Sequence, residues 1–198
     1  MRRGSVLAAV LFAAIAIAFV AYQANRWFAD DAPFERSGVS IGGPFTLAAT
    51  DGRRVTEKDF LGSYPLIYFG FTYCPDVCPT ELAVMAAALD KLGPDGDRVR
   101  PIMITVDPER DTVELLRDYV AAFHPRLIGL TGTLEEVQAA AAAYRVYFAK
   151  TEKDANGDYS VDHSSVVYLM GPEGEYLTVF GRDVDADAMA EGIRRAMR

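Results

Sequence analysis

The stretch TYCPDVCP at residues 72–79 decides the fold, and it contains both cysteines of the 198-residue chain. The apolar run Leu66–Phe71 precedes it and predicts a buried strand, whereas the segment Thr80–Leu89 has the pattern of an amphipathic helix. The cysteine pair therefore joins the carboxyl end of a strand to the amino end of a helix. Ligands usually bind at that edge of an open α/β sheet.

Two thiols at this spacing can bind a soft metal ion or exchange disulfides. Pro79 suits the first helical position, which predicts Cys78 at the helix cap, where free N–H groups favour a thiolate. If a helical turn begins at Cys74, both sulfurs share one face. Thiolates select Cu(I) or zinc. A purely structural disulfide is the alternative, but so small a loop gives only about 2 kcal/mol.

The order of predicted elements indicates a thioredoxin-like α/β fold. A strand, helix, strand and helix are followed by an inserted strand–helix–strand, a hairpin and a last helix. A small N-terminal hairpin, Phe45–Leu47 with Arg53–Val55, precedes the first core strand. After the cysteines we predict helices at 79–92, 111–123, 133–144 and 184–197, and strands at 99–106, 127–130, 146–150, 164–170 and 175–180, with a polar excursion at 151–160.

The amino-terminal segment predicts a membrane anchor. Arg2 and Arg3 precede an uncharged run from Gly4 to Asn25, which is longer than the usual core of a signal peptide, so an uncleaved transmembrane helix is favoured over a cleaved leader. The arginines predict a cytoplasmic amino terminus. We therefore expect an anchor at residues 1–28, a linker at 29–37 and a domain at 38–198, on the periplasmic side of a bacterial inner membrane.

The charge of the exported part argues against nucleic-acid binding. From residue 29 onward, 17 Lys and Arg oppose 28 Asp and Glu, a formal net charge of −11. No basic stripe lies among the aromatic residues, so the phosphate backbone would be repelled.

The chain has only two histidines, and they differ in context. His124 ends a predicted helix before a proline, which is typical of a surface residue. His163 lies in YSVDHSS at the entrance to the last hairpin. In a thioredoxin fold that corner faces the dithiol loop, so His163 is a candidate third ligand, although an isolated loop histidine would ordinarily be solvated.

Three motifs together resemble the signatures of the Sco/SenC family: YFGFTYCPDVCP at 68–79, VDPERDT at 106–112 and VDHSS at 161–165. Members of this family are membrane-anchored copper proteins of cytochrome c oxidase assembly. The resemblance covers residues 38–198 and the anchor. One departure is Ser63, where the family often has a lysine; it touches no inferred ligand.

The resemblance implies a copper site with Cys74 and Cys78 as thiolate ligands and His163 as the imidazole ligand. Such a site would hold Cu(I) and also Cu(II). It further implies that the protein delivers copper to, or reduces the cysteines of, the dinuclear copper site of cytochrome c oxidase subunit II, with a copper donor and a thiol reductant as further partners. Asp162 and Asp107 are candidates to accept the second N–H of the histidine; Asp107 is equally typical of a turn.

Three alternatives stay open from the sequence. A thiol–disulfide reductase would use Cys74 and Cys78 on another protein's cysteines, and this role can coexist with copper binding. Zinc also accepts two thiolates and a histidine. A peroxidase of the same fold would place a threonine three residues before the reactive cysteine, whereas Pro75 lies three before Cys78 and Thr72 two before Cys74, a poor match.

Overall fold

The computed structural model describes residues 41–198. Short 3₁₀ helices occupy Glu57–Phe60 and Gly93–Arg98. The strands and helices are β1 Thr46–Ala49, β2 Arg54–Thr56, β3 Tyr64–Gly70, α1 Val77–Leu92, β4 Val99–Thr105, α2 Val113–Ala121, β5 Ile128–Thr131, α3 Leu134–Ala143, β6 Phe148–Lys150, β7 Val161–His163, β8 Val167–Met170, β9 Tyr176–Phe180 and α4 Ala186–Ala196.

A seven-stranded sheet forms the centre of this unit, with the strand order β2-β1-β5-β4-β3-β8-β9. Strands β3, β4 and β5 are parallel neighbours, and the remaining pairings are antiparallel. All seven residues of β3 are buried, and β4 exposes only Arg100. Such continuous apolar runs are typical of central strands covered on both faces, so the cysteine loop leaves the sheet from its middle.

Three of the four described helices begin at a capping side chain, whereas α1 begins after Asp76 without a side-chain cap hydrogen bond. The Thr112 hydroxyl accepts the Leu115 N–H at the start of α2, and Thr133 forms a capping box with Glu136 at the start of α3. Helix α4 begins after Asp185, whose carboxylate accepts the Ala188 N–H. Helices α1 and α4 pack against each other, whereas α2 packs on β5 and α3 packs near β1.

The predicted α/β class and the N-terminal hairpin are confirmed: β1 and β2 are antiparallel neighbours. The last hairpin differs from its prediction. The segment predicted as one strand from 164 to 170 contains only β8, and residues 161–163 form β7, which pairs with β6 in a separate two-stranded sheet. The polar excursion at 151–160 is therefore the loop that joins β6 to β7 in a hairpin of their own.

The predicted anchor at residues 1–28 and the linker at 29–37 lie outside the described residues. Within residues 41–198, each helix is too short or too polar to cross a bilayer.

Candidate metal centre

The cysteine loop is fixed to the end of β4 by one buried carboxylate. Asp111 is completely buried and accepts hydrogen bonds from the Thr72 backbone N–H at 3.1 Å and the Thr72 hydroxyl at 2.6 Å. Its other partner is the Thr105 hydroxyl at the end of β4, also at 2.6 Å. The residue two positions before Cys74 is thus tied to the neighbouring strand. Burial raises the pKa of Asp111, and these donors oppose that rise.

Cys78 differs from its predicted environment. Helix α1 begins at Val77 rather than at Pro79, so Cys78 is its second residue and points into the core, where it is completely buried. Burial raises the pKa of the Cys78 thiol to about 12, although the Tyr68 hydroxyl and a backbone contact with Phe71 oppose the rise. The expected low-pKa thiolate at the helix cap is therefore wrong for the metal-free protein.

Cys74 receives the helix N–H that the sequence had suggested for Cys78. It lies before the helix begins, is partly buried, and its Sγ accepts the Cys78 N–H at 3.3 Å. Cys74 lines a cleft of about 280 Å³ together with Asp162, His163 and Arg182. Both cysteines are free thiols. The outer sulfur is therefore accessible, whereas the inner one lies behind it in the core.

His163 ends β7 and meets the inner cysteine. The antiparallel register of β8 on β3 sets Val167 opposite Tyr68, which brings the chain before β8 to the end of β3 where the cysteine loop begins. His163 Nε2 lies 3.5 Å from Cys78 Sγ, and Nδ1 lies 3.0 Å from the Ser164 carbonyl oxygen. Because a carbonyl only accepts, Nδ1 carries the hydrogen and the lone pair of Nε2 faces the sulfur.

The environment of the imidazole keeps it neutral. Burial lowers the pKa of His163, and the Ser164 carbonyl and the charge of Asp162 oppose that change only partly. The edges of two aromatic rings enclose it: the Phe71 centroid is 5.8 Å from the imidazole centroid and the Tyr68 centroid is 6.0 Å away. A neutral imidazole whose Nε2 lone pair faces the Cys78 thiol has the protonation state that metal ions require.

The two candidate carboxylates occupy different places. Asp162 is exposed and lies opposite Ala149 in the β6–β7 pair. Asp107 is completely buried, where it accepts the Tyr159 hydroxyl at 2.8 Å and the Nε–H of Arg110. The described Nδ1 hydrogen bond of His163 goes to the backbone carbonyl of Ser164 rather than to either carboxylate.

The structure brings Cys78 and His163 into contact, but it does not form a closed three-donor cluster. Among residues 41–198, no three His, Cys, Asp or Glu side chains are already arranged to hold a metal ion. Two sulfurs and one imidazole nitrogen are nevertheless the soft donors that suit Cu(I) and zinc.

Sequence reasoning missed the aromatic and cationic neighbours of this site. Tyr68 and Phe71 appeared to be only core residues of a strand, and Arg110 appeared only as part of a motif. In the structure the Arg110 guanidinium lies over the rings of Tyr159, Tyr73 and Phe71, at 3.8, 4.7 and 5.9 Å from their centroids. The proximity of DPERD to the cysteine motif at one sheet edge was the available signal.

Comparison with known proteins agrees with the motifs. The sequence model of the SCO1/SenC family matches residues 34–198. Protein SCO1 homolog 1, mitochondrial, of Arabidopsis thaliana is 51% identical over 161 residues, covering 81% of this chain and 48% of that protein. The chain spans about half the length of the curated relatives it matches first.

Solved structures share the fold. Arabidopsis thaliana ScoI with copper bound superposes with a TM-score of 0.76 at 50% identity, covering 80% of this chain and 98% of that one. BsSco, a member of the Sco family of cytochrome c oxidase assembly proteins in which a disulfide switch was identified, gives a TM-score of 0.63 at 28% identity over 80% of this chain and 94% of its own.

Proposed function

The chain belongs to the SCO1/SenC family, and from that membership we propose that it binds copper as cargo through Cys74, Cys78 and His163. We assign to it the delivery of copper to, or the maturation of, the dinuclear copper site of cytochrome c oxidase subunit II. Similarity to a copper-bound ScoI and to a cytochrome c oxidase assembly protein supports this assignment.

One observation carries the proposal: His163 Nε2 is 3.5 Å from Cys78 Sγ while Nδ1 is engaged by the Ser164 carbonyl. The backbone carbonyl satisfies Nδ1, and the lone pair of Nε2 points at the Cys78 thiol. Cys74, whose Sγ accepts the Cys78 N–H and which lines the same cleft as His163, would supply the third donor. The cleft beside Cys74 gives access from solvent.

A bound copper ion would stabilise the thiolate form of the buried Cys78. A bare thiolate at Cys78 is disfavoured because burial raises its pKa to about 12. A bound cation supplies the missing positive charge, so the proton leaves as copper enters. Two thiolates with one imidazole favour Cu(I), and the same donors accommodate Cu(II).

The proposed cellular location rests on the amino-terminal sequence. Residues 1–28 would anchor the chain in a bacterial inner membrane, and the domain would face the periplasm. In that compartment cysteines oxidise readily, so a thiol reductant as well as a copper donor would be needed to keep the pair able to bind Cu(I).

Copper titration tests the proposal. We expect His163→Ala and Cys74→Ser to weaken copper binding, whereas His124→Ala serves as the matched control because that histidine lies elsewhere, 3.8 Å from Asp90. Unchanged stoichiometry and affinity in both site variants would contradict it. Competition with zinc then decides which metal the site prefers.

A thiol–disulfide reductase is the second candidate, and the placement of Cys74 favours it. This thiol is accessible and lies just before α1, whereas Cys78 is buried behind it. The arrangement suits an attacking and a resolving thiol. Rapid exchange that survives His163→Ala would support the reductase. In cells, oxidase activity lost on deletion and restored by added copper would favour delivery instead.

A further inference from the structure

Apart from its chain connections, among them the short link from β7 to β8, the hairpin that carries His163 is held to the domain by side-chain contacts rather than by strand pairing. Strands β6 and β7 form a two-stranded sheet of their own, and neither pairs with the seven-stranded sheet within residues 41–198. The two cysteines, by contrast, follow the central strand β3 directly. The distance between His163 and the sulfurs therefore depends on the pairing of β8 with β3 and also on the contacts that hold this hairpin against the cysteine loop.

Arg110 is positioned to hold the hairpin. Its Nη1 donates to the Tyr159 carbonyl at 2.9 Å, and its guanidinium lies 3.8 Å from the Tyr159 ring centroid, just before β7. Its Nε donates to Asp107, which is completely buried and also accepts the Tyr159 hydroxyl at 2.8 Å. The Arg110 guanidinium thus contacts the backbone and ring of Tyr159, and the Asp107 carboxylate binds its hydroxyl.

The same guanidinium contacts the cysteine loop. It lies 4.7 Å from the ring centroid of Tyr73, the residue before Cys74, and 5.9 Å from that of Phe71, whose ring edge-contacts His163. Cation–π contacts of this length are attractive and gain strength when solvent is excluded. Arg110 is therefore in contact with both segments that supply the proposed ligands.

Val161 of the hairpin packs in the hydrophobic core, and the other polar contacts across this junction are longer or more exposed. Lys150 pairs with Glu109 at 2.6 Å, but both side chains are substantially exposed. The Tyr73 hydroxyl reaches Asp158 only at 3.5 Å. Among the described residues, Arg110 Nη2 is buried without a hydrogen-bond partner. The side chain therefore leaves one of its own donors unsatisfied while Nε and Nη1 form the hydrogen bonds across the junction.

We infer that Arg110 is a positioning residue for copper: it clamps the β6–β7 hairpin onto the cysteine loop and thereby sets the approach of His163 to Cys74 and Cys78. The inference rests on the proposed function, because it assumes that these three residues bind the ion. Arg110 touches none of the three sulfur and nitrogen donors in the contacts described above. It acts through Tyr159 on one side and through Tyr73 and Phe71 on the other.

The test measures Cu(I) affinity of the full chain by competition with a chromophoric chelator. Arg110→Met removes the charge and the planar fork, and Arg110→Lys keeps the charge without the fork. We expect both variants to bind copper about tenfold more weakly, as is common when groups that orient ligands are lost. Arg98→Met is the matched control, because Arg98 also lies over a tyrosine ring, 4.9 Å from the centroid of Tyr64, away from the site.

Double variants that combine each Arg110 substitution with His163→Ala distinguish a positioning role from a general structural role. If Arg110 acts by placing His163, it causes no further loss of affinity in that background. An unchanged affinity in the Arg110 variants, or an equal loss with and without His163, overturns the inference. Failure of the proposed function is distinguishable, since His163→Ala alone would then leave copper affinity unchanged.

Discussion

His163 Nε2 lies 3.5 Å from Cys78 Sγ although 85 positions separate the two residues in the chain. Cys78 lies in the first turn of the helix that follows β3, and His163 ends β7 of a small hairpin. Their contact depends on the antiparallel pairing of β8 with β3, which returns the chain to the cysteine edge. The proposed copper site requires this contact.

The two thiols should react at very different rates. In the reduced, metal-free protein at neutral pH, we expect iodoacetamide to modify Cys74 well before Cys78, because Cys78 is completely buried and its pKa is raised to about 12. Mass spectrometry of Cys74→Ser and Cys78→Ser proteins measures each rate separately. Both thiols should react alike in denaturant, and equal rates in the native proteins would contradict the described burial.

Asp111 should be important for stability although it contacts no proposed ligand. In Asp111→Ala, the Thr72 and Thr105 donors lose their buried acceptor, and we expect unfolding free energy to fall by about 2–4 kcal/mol. Urea denaturation measures the loss. Asp118→Ala, at an exposed position of α2, is the control and should change stability by less than about 0.5 kcal/mol. Similar small effects at both positions would refute the anchoring role.

Gly70 leaves no room for a side chain behind the cysteine. A Cβ there would lie 2.6 Å from Tyr68 Cε1 and 3.1 Å from Cys78 Sγ, and both side chains are buried. We expect Gly70→Ala to cost about 1–3 kcal/mol of stability through overpacking and to weaken copper binding by displacing Cys78. Gly181→Ala meets nothing within 4 Å and provides the control. Tolerance of both substitutions would show that the packing is looser than described.

Glu81 should give the metal-free protein a pH-dependent stability. Glu81 is only 2% exposed, and burial raises its pKa from 4.5 to about 7; Arg182 opposes the rise and Asp183 adds to it. The unfolded carboxyl ionises near 4.5 while the folded one stays protonated, so its contribution is present below pH 4.5 and is lost as pH rises through 7.

Urea midpoints across that interval measure the effect of Glu81. The wild type should lose stability relative to Glu81→Gln as the pH rises, whereas the exposed Glu114→Gln should run parallel to the wild type. A constant difference between wild type and Glu81→Gln across the interval would mean that the carboxyl is not perturbed by burial.

Local patterns in the sequence predicted most of the fold. The apolar runs that became β3 and β4 and the helical patterns that became α2 and α3 each lie within a few positions of the elements they specify. The approach of His163 to the cysteine loop was predicted from the topology of a thioredoxin-like corner rather than from a local pattern.

Other features that depend on distant contacts were not predicted. The helix was expected to start at Pro79, but it starts at Val77, and this two-residue difference moves Cys78 from the cap into the core and reverses the expected direction of its pKa. The contacts of Arg110 with Tyr159 and of Asp111 with Thr72 join residues 39 to 49 positions apart. Neither contact has a periodic pattern that single-sequence reasoning can detect.

X-ray absorption at the copper edge of the copper-loaded full chain tests the central claim most directly. We predict a shell of two sulfur scatterers with one imidazole, and loss of the imidazole signal in His163→Ala but not in His124→Ala. Because the chain has only these two histidines, an imidazole signal that persists in His163→Ala, or a shell without sulfur, would contradict the proposed site.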